Sequence, residues 1–275
     1  MIIVIQSKDQ VGLVSAISTV LANLQLNIVS LREHVDKAEN RFFMRIEVEQ
    51  DSDADALETA ILQVLPGGAI VKVNPVPTKK VVVMVTKEYH CLADILVRHY
   101  FKTLGAEVLC VIGNHAHLGD ICKRFDIPFY AVLTEGNSKE AFESQVQAHI
   151  AAYQPDYIIL AKFMRILSPQ FVAQYPGKII NIHHSFLPAF VGANPYKQAF
   201  ERGVKLIGAT AHFVTNELDE GPIIAQQIIP VNHTYNTAAM VKAGKDIEVA
   251  ALAKALQMVF SDRVFVYNNK TVVFE

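Results

Sequence analysis

The sequence has few cysteines and little net charge, and each shortage excludes a class of protein. Its three cysteines, Cys91, Cys110 and Cys122, are odd in number and show no C-x-x-C spacing. They therefore indicate neither a disulfide framework nor a thiolate zinc site. A net charge of −2 gives no electrostatic reason to expect nucleic acid or an anionic membrane as a partner. Small molecules and other proteins are the expected partners.

Long apolar runs are also missing. Runs such as "VVVMV" and "YIIL" are far shorter than the roughly 20 residues that span a bilayer. Lys8 and Asp9 interrupt the apolar start before it reaches the length of a signal sequence. We therefore expect a cytoplasmic protein with no membrane-spanning segment. A hydrophobic content of 51% supports a substantial buried core, in one large domain or two ordinary ones.

The first part of the chain, residues 1–75, alternates between strand and helix patterns. "MIIVIQ" opens with β-branched residues, and Leu13, Ile17 and Leu21 then form an apolar stripe at helical spacing. Two further strand patterns, a second helix in "DADALETAILQVL" and a last strand complete the order βαββαβ of a ferredoxin-like unit. Residues 76–80, beside two prolines, are the predicted linker.

The rest of the chain shows continuous apolar strands that alternate with helical stretches. "VVVMVT", "AEVLCVIGN", "IPFYAVL" and "DYIILAKF" are such strands. Strands that are buried on both faces of a parallel sheet read as continuous apolar runs. We therefore predict an α/β protein, with a ferredoxin-like domain at 1–75 and a Rossmann-like, mostly parallel-sheet domain at 81–275. A long helix and a hairpin with Asn268 and Asn269 at its turn are predicted to end it.

The stretch "NIHHS", residues 181–185, directly follows an apolar strand pattern. Ligands of parallel sheets bind beyond the carboxyl ends of the strands, which makes this stretch a candidate site. Because strand side chains alternate between faces, Asn181 and His183 are predicted to project together and His184 to the opposite side. The two adjacent histidines are then a poor metal chelate. A single histidine at such a place can also be an ordinary core residue.

A polar loop with Asn216, Glu217, Asp219 and Glu220 follows within a few dozen residues, between two apolar runs. Acyl transfer needs a donor for the developing oxyanion and a group that takes a proton from the nucleophile. An amide, an imidazole and a carboxylate at one sheet edge can fill these roles. No G-x-S-x-G motif is present, which favours a directly activated water or amine over a covalent intermediate.

Two other functions stay open on the residues alone. A zinc hydrolase would use His115, His117, His183 and His184, but these pairs suit a chelate only with special backbone geometry, and no H-E-x-x-H motif is present. We therefore predict no metal. A non-catalytic amino-acid sensor is the second alternative, although a degenerate site would have little reason to retain all three residue types.

Residues 161–190 and the stretch "GATAHFVTNELDEGPIIAQQ" resemble the catalytic core of the folate-dependent formyltransferases. The family's Asn-x-His and the Asp of its Leu-Asp-x-Gly-Pro loop fall on Asn181, His183 and Asp219, and the resemblance implies that these three residues are catalytic. It also implies that two loops hold the pteridine ring of a folate. The residues at these loop positions are Met164, Arg165, Ile166, Leu167, Thr215, Asn216 and Glu217.

Several stretches, among them "KEYHCLADIL" and "NIHHSFLPAF", resemble the formyltetrahydrofolate deformylase family. "VVVMVTKEYHCLADIL" contains no glycine, whereas a transferase with a nucleotide-like acceptor holds the acceptor phosphate with a Gly-rich loop. The resemblance therefore implies hydrolysis of 10-formyltetrahydrofolate to tetrahydrofolate and formate, without a further cofactor. Formate for purine synthesis and a balanced one-carbon pool are the implied benefits. A formyltransferase acting on a small amine is the alternative. His184 is expected to support the catalytic residues from behind. His115, in "IGNHAH" at another strand end, is expected either to shape the water pocket or only to cap its strand.

The front domain resembles the ACT domain, a small ferredoxin-like regulatory module. Asp9 and Gly12 lie in "KDQVGLVSAIS", which matches its first turn, and Asn27 begins the matching "NIVSLREHV". The resemblance implies an amino-acid effector, glycine or methionine, near these three residues. It also implies a homo-oligomer, a tetramer or a hexamer. Ser7 and Lys8 stand where the deformylases commonly have Cys-Pro, so a purely structural dimerisation domain is the alternative.

Overall fold

The computed structural model describes residues 1–74, 78–189 and 194–275. These residues form two compact units. The first contains residues 1–74, 261–265 and 272–275, and the second contains the described part of 78–260 together with 266–271. Among the described residues, no helix combines the length and the hydropathy that a membrane crossing requires.

The first unit is built on a βαββαβ arrangement. Its elements are β1 (Ile2–Lys8), α1 (Leu13–Asn23), β2 (Ile28–Asp36), β3 (Arg41–Val48), α2 (Ala54–Leu62) and β4 (Ile70–Asn74). The strands form an antiparallel sheet in the order β2-β3-β1-β4. The apolar stripe of α1, with Leu13, Ile17 and Leu21, is buried in the same core as Ile3 and Ile5 of β1. The ferredoxin-like prediction is thereby confirmed.

Local chemistry explains where the two helices of this unit begin. The side chain of Asp53 accepts hydrogen bonds from the backbone N–H groups of Asp55 and Ala56, both at 3.1 Å, and so caps α2. Gly12 precedes α1 with a φ of +94°, a left-handed conformation that glycine adopts without steric cost.

The second unit alternates strands and helices around one large sheet. Its elements are β5 (Lys79–Val85), α3 (His90–Tyr100), β6 (Ala106–Gly113), α4 (Gly119–Arg124), β7 (Phe129–Ala131), α5 (Lys139–Tyr153), β8 (Tyr157–Leu160), α6 (Pro169–Ala173), β9 (Ile179–His183), α7 (Pro195–Arg202), β10 (Leu206–Phe213), β11 (Ile223–Pro230) and α8 (Thr237–Phe260). The strand order is β11-β10-β9-β8-β5-β6-β7. Five neighbouring strands are parallel to one another, namely β9, β8, β5, β6 and β7. Strand β10 pairs antiparallel with β9 on one side and with β11 on the other. The predicted fold class, with a mostly parallel sheet, is confirmed.

The ends of the predicted domains differ in detail from the compact units. Residues 76 and 77 of the predicted linker lie outside the described residues, and Lys79 and Lys80 already begin β5. The C-terminal hairpin consists of β12 (Val264–Tyr267) and β13 (Lys270–Val273), with Asn268 and Asn269 both at positive φ in its turn. Parts of this hairpin group with the first unit, although the prediction placed the whole C-terminus in the second domain.

Candidate active site

A cavity of about 420 Å³ opens beyond the carboxyl ends of β8 and β9. Its lining comes mainly from three segments, within residues 160–167, 181–184 and 212–219. The structure brings together at this cavity all ten residues that were predicted to be catalytic or to contact folate. They are Asn181, His183, Asp219, Met164, Arg165, Ile166, Leu167, Thr215, Asn216 and Glu217.

Antiparallel pairing of β9 with β10 sets the position of the amide. Asn181 lies opposite His212 in the register, and its Nδ2 is 3.2 Å from His212 Nε2. His212 Nδ1 is 2.9 Å from the backbone carbonyl of Phe213, so Nδ1 carries the hydrogen and Nε2 accepts one from Asn181. Burial lowers the pKa of His212, which keeps this imidazole neutral. One N–H of Asn181 is thus fixed on His212, and its second N–H has no partner among the described residues.

His183 and Asp219 form the charged part of the site. His183 Nδ1 is 3.2 Å from Asp219 Oδ1, and His212 Nε2 is 3.7 Å from the same oxygen. Burial alone would raise the pKa of Asp219, but the hydrogen bond and the charge of His183 hold it below its usual value, so the carboxylate is ionised at neutral pH. His183 Nε2 is buried without a hydrogen-bond partner among the described residues. His183 is one of the residues that line the cavity.

A close backbone approach positions the loop that carries Asp219. Asp219 has a φ of +58°, in the left-handed region that Asp tolerates better than most residues. Two residues later, a Cβ added to Gly221 would lie 1.8 Å from the carbonyl oxygen of Phe213. The loop therefore needs glycine at this position to lie against the end of β10. Phe213 N donates to Pro222 O at 2.9 Å and closes the turn.

Two hydrogen-bonded contacts support the loop between β8 and α6. Met164 N donates at 2.9 Å to Oγ1 of Thr86, the residue that directly follows β5. Ser168 N donates to Glu143 Oε1 at 2.8 Å, and the hydroxyl of Ser168 donates to Glu143 Oε2. Met164 and Ile166 nevertheless remain mostly exposed, at 55% and 63%. The backbone of this loop is fixed while its apolar side chains stay free to contact a flat ligand.

Comparison with known proteins agrees with this geometry. The sequence matches the Formyl transferase family over residues 79–256 and the ACT domain family over residues 1–65. The formyltetrahydrofolate deformylase of Escherichia coli strain K12 is 49% identical to it over 265 residues, which cover 96% of this chain and 95% of that protein. This chain belongs to the formyltetrahydrofolate deformylase family.

Further relatives and solved structures are similar to the chain. The formyltetrahydrofolate deformylase of Bacillus subtilis is 40% identical over 279 residues, which cover 99% of this chain and 93% of that protein. The crystal structure of a formyltetrahydrofolate deformylase from Pseudomonas syringae has a TM-score of 0.94 at 41% identity and covers 100% of this chain and 94% of its own. A glycinamide ribonucleotide transformylase from Symbiobacterium toebii has a TM-score of 0.69 at 27% identity, over 72% of this chain and 95% of its own. Both predicted family resemblances are confirmed.

His184 does not face away from the site as strand alternation predicted. Strand β9 ends at His183, so the alternation of the strand no longer applies to the next residue. His184 lines the same cavity as Asn181 and His183, and it also lines a neighbouring apolar cavity of about 190 Å³. Burial, and then the positive charge of Lys162, lower the pKa of His184 to about 4. A neutral imidazole therefore forms part of the wall of this cavity.

The other predicted supporting and effector residues lie elsewhere. His115 follows β6, is partly buried, and is absent from the described residues that line the cavity. In the first unit, Asp9 and Gly12 lie in the turn between β1 and α1. Asn27 donates its backbone N–H to Gln50 Oε1 at 2.8 Å and its amide to Glu49 Oε2 at 3.2 Å. Effector binding at these three residues stays a prediction.

Sequence reasoning missed a buried charged cluster beside the cavity, as well as His212. Glu248 on α8 is 1% exposed and accepts from Tyr196 OH at 2.8 Å. Its Oε2 is 2.7 Å from His90 Nε2 and 3.2 Å from Lys162 Nζ. Burial would raise the pKa of Glu248, but these partners lower it to about 2. The sequence did carry a signal for each residue: His212 is a polar residue inside an apolar strand, and Glu248 is a polar residue at a buried position of a helix.

One group of potential metal ligands occurs among the described residues, and it belongs to this cluster. His90, Cys91 and Glu248 place their ligand atoms within 4.8 Å of one another. The group includes none of the four histidines considered from the sequence. The ammonium of Lys162 already pairs with the carboxylate of Glu248, which opposes a second cation there.

Proposed function

We propose that this protein hydrolyses 10-formyltetrahydrofolate to tetrahydrofolate and formate by direct attack of water on the formyl carbonyl. The observation that carries the proposal is the meeting of Asn181, His183 and Asp219 at one cavity wall, with an unpartnered buried nitrogen on His183. No metal or further cofactor takes part in the proposed reaction.

In this mechanism Asn181 and His183 hold the formyl oxygen. Protonated His183 donates Nδ1–H to Asp219, 3.2 Å away, and Nε2–H to the formyl oxygen. Asn181 donates the N–H that His212 leaves free. Negative charge develops on the formyl oxygen as water adds, so donors aimed at this oxygen stabilise the transition state more than the ground state.

Asp219 orients the attacking water and takes its proton. Among the described residues His183 donates to Oδ1 of Asp219, which leaves Oδ2 for the water. The water oxygen bonds to the formyl carbon, the bond from this carbon to N10 breaks, and N10 receives the proton that Asp219 removed. The second water proton leaves when the formic acid ionises. The products are tetrahydrofolate, formate and one proton.

The two loops around the cavity suit a flat heteroaromatic ligand. Met164, Ile166 and Leu218 expose apolar surface at its rim, and Thr215 to Glu217 supply polar groups beside them. We assign the pteridine ring to this slot, in contact with residues 164–167 and 215–217. An apolar slot with a few polar partners is the usual form of such a site.

The substitution Asp219→Asn tests the mechanism. It keeps the size of the side chain but removes the base, so formate release is expected to fall by about 100-fold or more while tetrahydrofolate binding persists. The matched control is Asp120→Asn, because Asp120 is 78% exposed on α4. An unchanged rate in Asp219→Asn would remove this carboxylate from the mechanism.

A second experiment separates the hydrolase from its alternatives. Metal-stripped protein is incubated with 10-formyltetrahydrofolate, with and without glycinamide ribonucleotide, and formate is measured. Formate release that does not depend on the acceptor is expected. Formyl transfer to the acceptor alone would contradict hydrolysis, and activity that returns only with zinc would indicate a metal enzyme.

For the front domain, residues 1–75, we propose regulation and oligomerisation, with residues 81–275 as the catalytic domain. Glycine or methionine would bind near Asp9, Gly12 and Asn27, in a tetramer or hexamer. An effector must bind one activity state better than another, whereas a scaffold need not. Titration of each amino acid against the rate of formate release, with light scattering for mass, distinguishes the two roles.

A further inference from the structure

Lys162 is an unusual residue in the wall of the cavity. It follows the carboxyl end of β8 and has a φ of +61°, a left-handed conformation that is uncommon for residues other than glycine, asparagine and aspartate. Its side chain is only 8% exposed, and it lines the same cavity as His183, His184 and Asp219. A buried ammonium in an unfavourable backbone conformation costs stability, and such residues cluster at functional sites.

The ammonium of Lys162 has donors to spare. A lysine carries three N–H donors, and among the described residues its one partner is Glu248 Oε2 at 3.2 Å. His90 and Tyr196 hold the same carboxylate, so Glu248 is fixed and in turn fixes the direction of Lys162. The other N–H donors of Lys162 therefore belong to a side chain that lines the proposed catalytic cavity.

Other charged groups around the cavity do not supply the same function. Arg165 lies over the ring of Phe142, with its guanidinium carbon 5.2 Å from the ring centroid, in the exposed loop at the rim. His184 is uncharged near neutral pH because its pKa is held near 4. Asp219 is negative and repels an anion. In the proposed mechanism His183 is occupied by the formyl oxygen, so Lys162 is the buried donor in this wall that is left for a second oxygen.

The proposed reaction turns a neutral formyl amide into an anion inside this cavity. We propose that Lys162 forms a carboxylate subsite in the cavity wall, and that this subsite holds formate through the oxygen that came from the attacking water. The inference rests on the proposed hydrolysis. Before the reaction the same donor holds the water oxygen, and afterwards it holds that oxygen as part of formate. The site thereby accepts water in the place where a transferase would seat an amine.

Formate binding without turnover tests this subsite. Formate is titrated into the full-length protein, and saturation-transfer NMR on its C–H proton reports binding. Lys162→Met alone leaves Glu248 buried with one partner fewer, so the double variant Lys162→Met/Glu248→Gln, which removes both charges, is measured beside it. We expect the dissociation constant for formate to rise by about 10- to 100-fold in both variants, the usual effect of losing a hydrogen bond to a charged group. Lys197→Met removes a lysine that is 64% exposed and should bind formate as the wild type does.

Each outcome decides between the two proposals. Equal formate affinity in the double variant and the wild type would overturn the subsite, as would a wild type that releases formate from 10-formyltetrahydrofolate but shows no saturable binding up to about 100 mM formate. A wild type that binds formate through Lys162 yet releases none from the substrate would contradict the proposed hydrolysis instead. A carboxylate of the folate glutamate tail has the same chemistry. Unchanged formate binding with weakened tetrahydrofolate binding would assign Lys162 to that tail and overturn the proposal.

Discussion

Replacing His184 with glutamine should make the protein less sensitive to acid. Burial, Lys162 and His183 hold the pKa of His184 near 4, against the opposing effect of Glu248 and Asp219, whereas in the unfolded chain this pKa is about 6.5. Between these two values the unfolded state binds more protons than the folded state, so stability falls as the pH drops below about 6.5. From about pH 7.5 to about pH 5 the linkage amounts to about 2 kcal/mol. His184→Gln removes this contribution.

Urea-induced unfolding followed by far-UV circular dichroism measures the effect. The free energy of unfolding of the wild type should decrease from about pH 7.5 to about pH 5 by about 2 kcal/mol more than that of His184→Gln. His233→Gln is the control, since His233 is exposed, and it should follow the wild type. Equal pH dependence in His184→Gln and the wild type would refute the argument that a buried, neutral imidazole lines the cavity.

Three further substitutions test close packing and capping. In Gly221→Ala the new Cβ would lie 1.8 Å from Phe213 O. We expect the unfolding free energy to fall by about 1 to 3 kcal/mol, and formate release to slow because the Asp219 loop shifts. A wild-type rate of formate release would show that this close approach is unnecessary. Gly244→Ala should destabilise α8 despite the better helix propensity of alanine, because its Cβ would lie 2.2 Å from Cζ of Tyr196. In a double-mutant cycle, adding Tyr196→Ala should relieve that loss of stability. Additive effects of the two substitutions on the unfolding free energy would contradict the clash. Asp53→Ala should cost about 1 kcal/mol by removing the cap of α2, measured by urea unfolding, while Asp53→Asn should retain most of the stability.

Much of the fold followed from patterns that extend over many residues. The apolar stripe of Leu13, Ile17 and Leu21 is buried as the helical spacing predicted. The continuous apolar strand "VVVMV" lies in β5, with parallel neighbours on both sides. Such patterns predict structure reliably because the burial of a whole face depends on many side chains at once. One exceptional residue does not change which face is buried.

The three residues that we propose as catalytic were selected from the sequence for a different reason. Asn181, His183 and Asp219 stand in motifs whose spacing in the chain matches a known family. The sheet topology then places the end of β9 and the loop after β10 side by side. Residue types and spacing brought these three residues to one cavity because each motif lies at the end of a strand, where a parallel sheet binds its ligands.

The supporting residues could not be predicted in this way. His212 faces Asn181 only through the antiparallel register of β10 on β9, which apolar patterns do not specify to the residue. Glu248 and Lys162 are 86 residues apart and meet because α8 packs against the sheet. His184 was assigned to the wrong side because alternation holds only as far as the strand extends, and β9 ends one residue earlier.

The pairing of β9 with β10 makes the site tolerant of one kind of change and intolerant of another. The connection between these strands includes α7, and its exposed end at residues 201–203 can change in length while the pairs Asn181 with His212 and His183 with Thr210 remain. A single residue inserted within β10 would instead turn His212 to the opposite face of the sheet and present a neighbouring apolar side chain to Asn181. An insertion at residues 201–203 should therefore leave the site intact, whereas an insertion of one residue inside β10 should abolish the site without unfolding the sheet.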